Sequence, residues 1–278
     1  MEFTSARASQ RYSEIVARVD EVVVGLDFDG VLSPIVEDPT QALIHADAPQ
    51  VLIDLSDLVR AVAVVTGRPA RQVLALGGLD EVGDAIGDHG KELFVFGQYG
   101  NERWSSTQRR VISPRPPHGL STFERELPAL LRRSGASEAF VEEKGLAVAV
   151  HTRRLPDANE AFSRLLEPMS ELAHAHGLIV EPGRNVIEVR SDGQHKGHAV
   201  QTLVKEQAAG GFVFAGDDLG DIEAFEAVAE LREQGLATLL VCAASDEQSA
   251  LLPLADVIVP GPDGVLDLLR QLTADARG

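Results

Sequence analysis

VVVGLDFDG, residues 22–30, joins an apolar run to two aspartates and a glycine. A short, continuous run of β-branched apolar residues is typical of a strand buried on both faces of a parallel sheet. Successive side chains of a strand point to opposite faces, so Asp27 and Asp29 are predicted to project on the same side at the strand's carboxyl end. Gly30 permits a sharp turn of the chain away from the strand.

Four further apolar runs are predicted to be parallel strands, at residues 62–65, 212–215, 239–241 and 257–259. Amphipathic helical patterns lie between the runs, at residues 51–60, 72–76, 197–207 and 221–234. Alternating strands and helices predict an α/β fold with a doubly wound, Rossmann-like parallel sheet. Ligands of such sheets bind beyond the carboxyl ends of the strands, so the polar residues that follow the strands are the candidate functional residues.

The middle of the chain has a different pattern. A proline-rich segment at residues 114–117 precedes helical patterns at residues 123–133 and 159–176, which are mixed with alternating, strand-like segments. This pattern is typical of a small α+β module. We therefore predict a core domain of residues 1–110 and 191–278, interrupted by an inserted domain of residues 111–190.

The composition is that of a globular protein: 278 residues, 44% of them hydrophobic. With 25 basic and 43 acidic residues, the net charge is −18, which disfavours nucleic acid and anionic membranes as partners. No apolar run approaches the roughly 20 residues that span a bilayer, and the N-terminus does not resemble a signal peptide. The single cysteine, Cys242, is predicted to be a buried strand residue of a protein in the reducing cytoplasm.

Asp27 and Asp29 indicate chemistry that uses a metal ion. Two carboxylates this close require a cation, or a proton on one of them. With a cation present, one carboxylate can attack an electrophile while the other carries a proton. The same Asp-x-Asp-Gly pattern also suits a plain turn or a calcium-binding loop, and alone it leaves both interpretations open.

Two further segments indicate a phosphate site. Thr66 and Arg68 follow the second predicted strand, with Pro69 at the start of the next helix, and hydroxyl and backbone N–H groups there suit phosphate oxygens. Lys196 begins the helix after the insertion, where its ammonium can neutralise phosphate in an acidic protein. Taken alone, the segment with Thr66 could be a plain helix cap, and Lys196 could be an exposed lysine.

Asp217, Asp218 and Asp221 place three carboxylates within five positions directly after an apolar strand. Capping a helix requires only one or two acids. Three crowded carboxylates are electrostatically costly without a cation, and ligation by oxygen alone favours Mg²⁺.

In this fixed order, the four motifs resemble those of the haloacid dehalogenase (HAD) superfamily of aspartyl-phosphate phosphatases. The resemblance covers the whole chain, and the insertion lies where a C2-type cap domain is found. Within the superfamily, the chain is most similar to trehalose-6-phosphate phosphatases. That similarity lies in DFDGVLSPIV (27–36), DP (38–39), VEEKG (141–145), HTR (151–153), PGR (182–184), EVR (188–190) and HKGHAV (195–200).

The resemblance implies a role for each core motif. Asp27 would attack the phosphorus, and Asp29 would protonate the departing sugar oxygen and later activate water. Mg²⁺ would be held by the Asp27 carboxylate, the Asp29 main-chain carbonyl and Asp217, with support from Asp218 and Asp221. Thr66 and Lys196 would hold the phosphoryl group.

The resemblance also implies a substrate, trehalose 6-phosphate, which would be hydrolysed to trehalose and phosphate. A trehalose-phosphate synthase would be a partner in the same pathway. The predicted substrate-binding residues are Arg68 in the core and Glu142, Lys144, His151, Arg153, Arg184 and Glu188 in the cap. Sugar hydroxyls are read by carboxylates and cationic donors on rigid strands, which agrees with this choice.

Three positions depart from the family pattern. Val31 and Gly220 each replace a usual threonine, and Thr152 replaces a usual tyrosine. Alternatives to the trehalose assignment are a phosphatase for sucrose, glucosylglycerol or glycosyl-glycerate phosphate, or an inactive sugar-phosphate sensor. A calcium-binding or acidic interaction module would explain the carboxylates but not Thr66 or Lys196.

Overall fold

The computed structural model describes residues 2–36, 38–183, 185–193, 195–244 and 250–278. The chain divides into two compact units, which we call the sheet unit (Met1–Ser113 with His195–Gly278) and the inserted unit (Pro114–Gln194). The prediction of a core domain and a cap domain assigns a function to each part, which a division into compact units does not test. The two domain assignments therefore stay predictions.

The sheet unit contains an eight-stranded sheet in the order β1-β12-β11-β10-β2-β3-β4-β5. The six strands from β12 to β4 run parallel, whereas β1 and β5 pair antiparallel at the two edges. The strands are β1 (Glu2–Phe3), β2 (Val22–Leu26), β3 (Ala61–Val65), β4 (Leu93–Gly97), β5 (Glu102–Ser105), β10 (Gly211–Gly216), β11 (Ala237–Ala243) and β12 (Val257–Val259).

Helices cover both faces of this sheet. The helices α1 (Ala6–Ala17), α2 (Ala48–Ser56), α3 (Ala70–Gly77), α4 (Leu79–Asp88) and α9 (Gly261–Arg277) share a core with one face, and α7 (Lys196–Gln207) and α8 (Ile222–Glu233) share a core with the other. Strand β2 contributes to both cores, since Val22 and Val24 lie in the first and Val23 in the second. The predicted doubly wound α/β fold is confirmed.

The five predicted strands are all present, and Cys242 is buried within β11 as predicted. Strand β4 was missed, although all five of its residues are buried. Among the described residues, no helix has both the length and the apolar character that a membrane span requires.

The inserted unit is a four-stranded antiparallel sheet in the order β6-β7-β9-β8, with two helices. Its elements are α5 (Leu120–Arg133), β6 (Phe140–Glu143), β7 (Ala147–His151), α6 (Ala158–Ala175), β8 (Ile179–Gly183) and β9 (Val186–Arg190). Alternate residues of the central strands, such as Val148, Val150 and Ile187, form a core with the helices. Glu188 of β9 and Glu142 of the edge strand β6 both pair with Ala149, which lies between Val148 and Val150, so both are on the opposite face of the sheet.

Candidate active site

The candidate site forms where β2, β3 and β10 end side by side. Ala215 of β10 pairs with Leu26 of β2, and Leu26 pairs with Val64 of β3. Parallel strands in this register bring the residues that follow them to one edge of the sheet. Asp27, Thr66 and Asp217 therefore lie together, although the sequence separates them widely.

A buried lysine joins two of the aspartates. Lys196 is the first residue of α7, as predicted, and its side chain is 3% exposed. Its Nζ lies 2.8 Å from Oδ2 of Asp27 and 2.7 Å from Oδ1 of Asp221. Oδ1 of Asp27 accepts a hydrogen bond of 2.6 Å from its neighbour's backbone, Phe28 N. The ammonium thus compensates part of the negative charge in a largely buried region.

Asp27, Asp217, Asp218 and Asp221 form one acidic cluster. Each of them offers a carboxylate oxygen that lies within 4.8 Å of the others. Asp221 is fully buried, and its Oδ2 accepts a hydrogen bond of 3.0 Å from the backbone N of Asp217. Asp218 and Asp221 also cap the short turn between them reciprocally. Asp221 therefore braces the loop and Lys196, which leaves Asp27, Asp217 and Asp218 as the better candidates for direct metal contact.

The crowding of these carboxylates shifts their protonation. Burial raises the pKa of Asp217 to about 9, and Asp27, Asp218 and Asp221 add to the shift. Burial also raises the pKa of Asp27 well above its ordinary value, although Lys196 opposes this shift. Burial lowers the pKa of Lys196, but Asp221 and Asp27 outweigh burial and hold it above its ordinary range. One lysine does not balance four carboxylates, so this all-oxygen donor set fits a hard divalent cation such as Mg²⁺.

Gly30 allows the two acidic loops to approach each other. Its φ is +69°, in the left-handed region, and a Cβ built there would lie 2.2 Å from Cγ of Asp217. Any other residue at position 30 would strain the turn and displace Asp217. The glycine of the Asp-x-Asp-Gly motif therefore has a defined steric role.

Thr66 lies on the other side of Asp27, at the end of β3. It is 1% exposed, and its Oγ1 accepts a hydrogen bond of 3.2 Å from the backbone N of Arg68. Pro69 is the residue directly before α3, one position earlier than predicted. A buried hydroxyl beside a helix start is an arrangement that can receive a phosphate oxygen.

Asp29 is held by Arg68. Nε of Arg68 donates to Oδ2 of Asp29 over 2.6 Å, and its Nη2 donates to Oδ1 over 2.8 Å. Nη1 donates to the carbonyl oxygen of Pro39 over 2.8 Å. The sequence predicted Arg68 as a substrate-binding residue and missed this bidentate pair, which is a strong form of arginine–carboxylate contact.

In the inserted unit, two predicted substrate-binding pairs contact each other on the sheet face opposite the helices. Nε2 of His151 lies 2.9 Å from Oε2 of Glu142, and Nζ of Lys144 lies 2.5 Å from Oε2 of Glu188. Glu188 is 5% exposed. Arg153 is exposed in the turn after β7. The prediction for Arg184 falls outside the described residues.

The family model for trehalose-phosphatase matches residues 25–257, which is most of the chain and includes every motif described above. The chain belongs to the trehalose-phosphatase family. The predicted resemblance to this family is confirmed.

Two relatives illustrate the similarity. An uncharacterised glycosyl hydrolase of Mycobacterium tuberculosis is 34% identical over 213 residues, which are 74% of this chain and 15% of that protein. Trehalose-phosphate phosphatase B of Arabidopsis thaliana is 30% identical over 243 residues, which are 84% of this chain and 63% of that protein. The chain thus spans less than two thirds of the length of either relative.

Solved structures agree on the fold. The C-terminal domain of trehalose-6-phosphate phosphatase from Candida albicans superposes with a TM-score of 0.78 at 18% identity, and 98% of each chain is covered. A haloacid dehalogenase-like hydrolase from Bacteroides thetaiotaomicron gives 0.64 at 13% identity, covering 90% of this chain and 98% of the other. The predicted HAD-like fold is confirmed.

The three departures from the family pattern have distinct surroundings. Val31 is fully buried in the core of the sheet unit. A Cβ built on Gly220 would lie 3.2 Å from Oδ1 of Asp218, so a side chain there would crowd that carboxylate. Thr152 is fully buried, and its backbone N donates to the carbonyl oxygen of Asn185 over 2.9 Å. None of the three replaces a charged residue of the acidic cluster.

Proposed function

We propose that this chain hydrolyses trehalose 6-phosphate to trehalose and phosphate through an aspartyl-phosphate on Asp27. The proposal rests chiefly on the buried Lys196 that lies between Asp27 and Asp221, beside the four-carboxylate cluster. A lone buried carboxylate would be costly, whereas this one has a cation beside it and is oriented by the backbone of Phe28. Such an arrangement suits a nucleophile that Lys196 and a bound divalent cation would together hold ionised, against the rise in pKa that burial causes.

In the first step, an oxygen of Asp27 forms a bond to phosphorus while the bond from phosphorus to the sugar oxygen breaks. Asp29 gives its proton to the departing sugar oxygen. To do so, Asp29 must first leave its pair with Arg68, in which both of its oxygens accept hydrogen bonds from the guanidinium, and take up a proton from solvent. Release of this pair is therefore part of the proposed cycle.

In the second step, water attacks the phosphorus of the aspartyl-phosphate and the bond to Asp27 breaks. Asp29 accepts the proton of that water, which restores its starting state. Thr66 and Lys196 hold the phosphoryl oxygens through the hydroxyl and the ammonium.

Mg²⁺ would be held by Asp27, Asp217 and Asp218, with the main-chain carbonyl of Asp29 as a further oxygen ligand. When bound, it neutralises the charge of the phosphoryl group and of the crowded carboxylates. Asp221 stabilises this set of ligands through its contact with Lys196 and the hydrogen bond that it accepts from the backbone N of Asp217.

We further propose that the inserted unit recognises the sugar. Glu142, Lys144 and Glu188 lie on one face of its sheet, opposite the helices, so several donors and acceptors are available together. Fixed polar groups on strands suit the hydroxyls of a disaccharide. His151, Arg153 and Arg184 complete the proposed set.

The direct test is phosphate release from trehalose 6-phosphate, with Mg²⁺ and with EDTA. Wild type should release phosphate only with Mg²⁺, and Asp27→Asn should abolish release without loss of the fold. Asp20→Asn, at an exposed aspartate that is not part of the acidic cluster, is the matched control and should behave as wild type. No release from any sugar phosphate would refute the proposal and favour the sensor alternative.

A panel of sugar phosphates tests the substrate. At least tenfold better kcat/KM on the phosphate of sucrose, glucosylglycerol or glycosyl-glycerate would refute the trehalose assignment. Lys144→Met should lower kcat/KM for trehalose 6-phosphate but not for a small aryl phosphate that lacks the sugar. Lys205→Met, at an exposed position of α7, should change neither value.

We also propose that the protein acts in the cytoplasm, beside the trehalose-phosphate synthase that forms its substrate. A single, buried cysteine is compatible with a reducing compartment. Cell fractionation, with an antibody against the chain, would test this location.

A further inference from the structure

The segment that follows β4 has an unusual backbone. Gln98 and Tyr99 have φ values of +49° and +59°, and Gly100 follows with +97°. Glycine adopts the left-handed region freely, but glutamine and tyrosine do not. Each such residue is strained and persists only where its surroundings require it. Strain of this kind next to a candidate active site calls for a structural reason.

Hydrogen bonds connect this segment to the loop that carries Thr66. The backbone N of Tyr99 donates to the carbonyl oxygen of Thr66 over 3.0 Å, and that of Gln98 donates to the carbonyl oxygen of Arg68 over 2.8 Å. The backbone N of Thr66 donates in turn to Phe96 of β4 over 2.9 Å. Gln98 is 2% exposed. The left-handed turn is what lets consecutive N–H groups reach this loop.

The ring of Tyr99 fills the space beside two glycines. A Cβ built on Gly67 would lie 2.9 Å from Cζ and 3.0 Å from Oη of Tyr99. A Cβ built on Gly220 would lie 3.9 Å from Cε1 of the same ring. The ring therefore lies against the turn after Thr66 and reaches the turn between Asp218 and Asp221.

The next residue of the segment approaches the helix that carries Lys196. A Cβ built on Gly100 would lie 3.3 Å from Cβ of Ala199, one turn into α7. The segment of residues 98–100 is thus adjacent to the loop that contains Thr66, the helix that begins at Lys196 and the turn that contains Asp218. These are three of the four motifs of the site.

We propose that Tyr99 is a positioning residue of the phosphoryl site: its ring sets the spacing between the Thr66–Gly67 turn and the Asp218–Gly220 turn. This inference rests on the proposed phosphoryl transfer, because that reaction is what requires the spacing. Without the ring, the two turns lose a common support, and the oxygen-holding groups shift relative to the acidic cluster. Displacements of about 1 Å in such sites can lower turnover by ~100-fold.

The variants Tyr99→Ala and Tyr99→Phe test the role of the ring. Tyr99→Ala should lower kcat by ~10- to 100-fold, by the same factor for trehalose 6-phosphate and for a small aryl phosphate, since the ring serves the phosphoryl group and not the sugar. Tyr99→Phe should keep kcat within about threefold of wild type. The only other tyrosine of the chain, Tyr12, provides the control. Tyr12→Ala removes a ring that is 8% exposed and lies in α1, so it should lower Tm but leave kcat unchanged well below Tm.

A second readout does not depend on turnover. With Mg²⁺ present, inorganic phosphate should bind wild type, Tyr99→Phe and Tyr12→Ala alike in calorimetry, and Tyr99→Ala at least tenfold more weakly. Equal phosphate binding by Tyr99→Ala and wild type, or a kcat of Tyr99→Ala within twofold of wild type, would overturn the inference. So would a wild type that binds no phosphate. Tyr99-dependent phosphate binding without any hydrolysis would instead support the inference and refute the proposed function.

Discussion

Replacing Lys196 with methionine tests the electrostatic basis of the site. Methionine has a similar length and volume but no ammonium, so packing at the start of α7 is largely kept. The change removes contacts of 2.8 Å to Asp27 and 2.7 Å to Asp221. Both carboxylates then remain buried without their cation.

The cost follows from burial. Lys196 is 3% exposed, and the side chains of Asp27 and Asp221 are 7% and 0% exposed. Removing one partner from a buried ion pair costs ~3 to 5 kcal/mol, because the remaining charge is uncompensated. For a unit of this size, each kcal/mol lowers Tm by roughly 2 to 4 °C. In EDTA, Lys196→Met should therefore melt ~6 to 20 °C below wild type.

Thermal melting in EDTA and in Mg²⁺, together with phosphate release, measures the effect. Mg²⁺ should recover more stability in Lys196→Met than in wild type, since the cation replaces part of the lost charge, while turnover stays lost. Lys205→Met, exposed near the end of the same helix, should shift Tm by no more than ~2 °C. A Lys196→Met protein that melts within ~2 °C of wild type in EDTA and keeps its turnover would refute the reasoning.

Three further predictions follow from the same geometry. Gly30→Ala places a methyl group against Asp217 and should weaken Mg²⁺ binding ~10- to 100-fold in calorimetry. Gly87→Ala is the control, because a Cβ at position 87 has no atom within 4 Å, and it should bind Mg²⁺ as wild type does. Equal Mg²⁺ affinities of Gly30→Ala and wild type would contradict the steric role of Gly30. Because the pKa of Asp217 is raised to about 9, the stabilisation that its protonated form gives in EDTA is complete below about pH 4 and is lost as pH rises to about 9. Asp217→Asn should therefore reduce the fall of Tm over that pH range. Parallel curves of Tm against pH for the variant and wild type would contradict this prediction. Burial raises the pKa of the Cys242 thiol to about 11, so thiol reagents at neutral pH should label it only after unfolding, and rapid labelling of the native protein would be inconsistent with the fold.

The sequence was sufficient to predict the sheet and the edge at which its motifs meet. Val22–Leu26 and Val257–Val259 were predicted with their observed bounds, because continuous β-branched runs have few alternatives to a buried strand. The carboxyl-end rule for parallel strands then placed Asp27, Thr66 and Asp217 at one edge. Strand β4 (Leu93–Gly97) was not recognised, although it resembles β10, which also contains two phenylalanines and ends in glycine.

What the sequence could not predict depends on side-chain directions and backbone strain. The pair of Arg68 with Asp29 joins residues 39 positions apart, and only the folded geometry directs the guanidinium toward that carboxylate. The left-handed turn at Gln98 and Tyr99 contradicts local propensity, because tertiary hydrogen bonds impose it. Asp221 was predicted to support the metal from the carboxylate cluster of residues 217–221 and the family resemblance, whereas its contact with Lys196 is seen only in the folded structure.

The central claim is that Asp27 carries the phosphoryl group. Wild type mixed with trehalose 6-phosphate and Mg²⁺, quenched in acid within one turnover and digested, should yield a peptide containing Asp27 with the mass of one added phosphoryl group. Asp27→Asn treated in the same way should yield only the unmodified peptide. Full turnover in wild type with the phosphoryl group on another residue, or retained turnover in Asp27→Asn, would contradict the account.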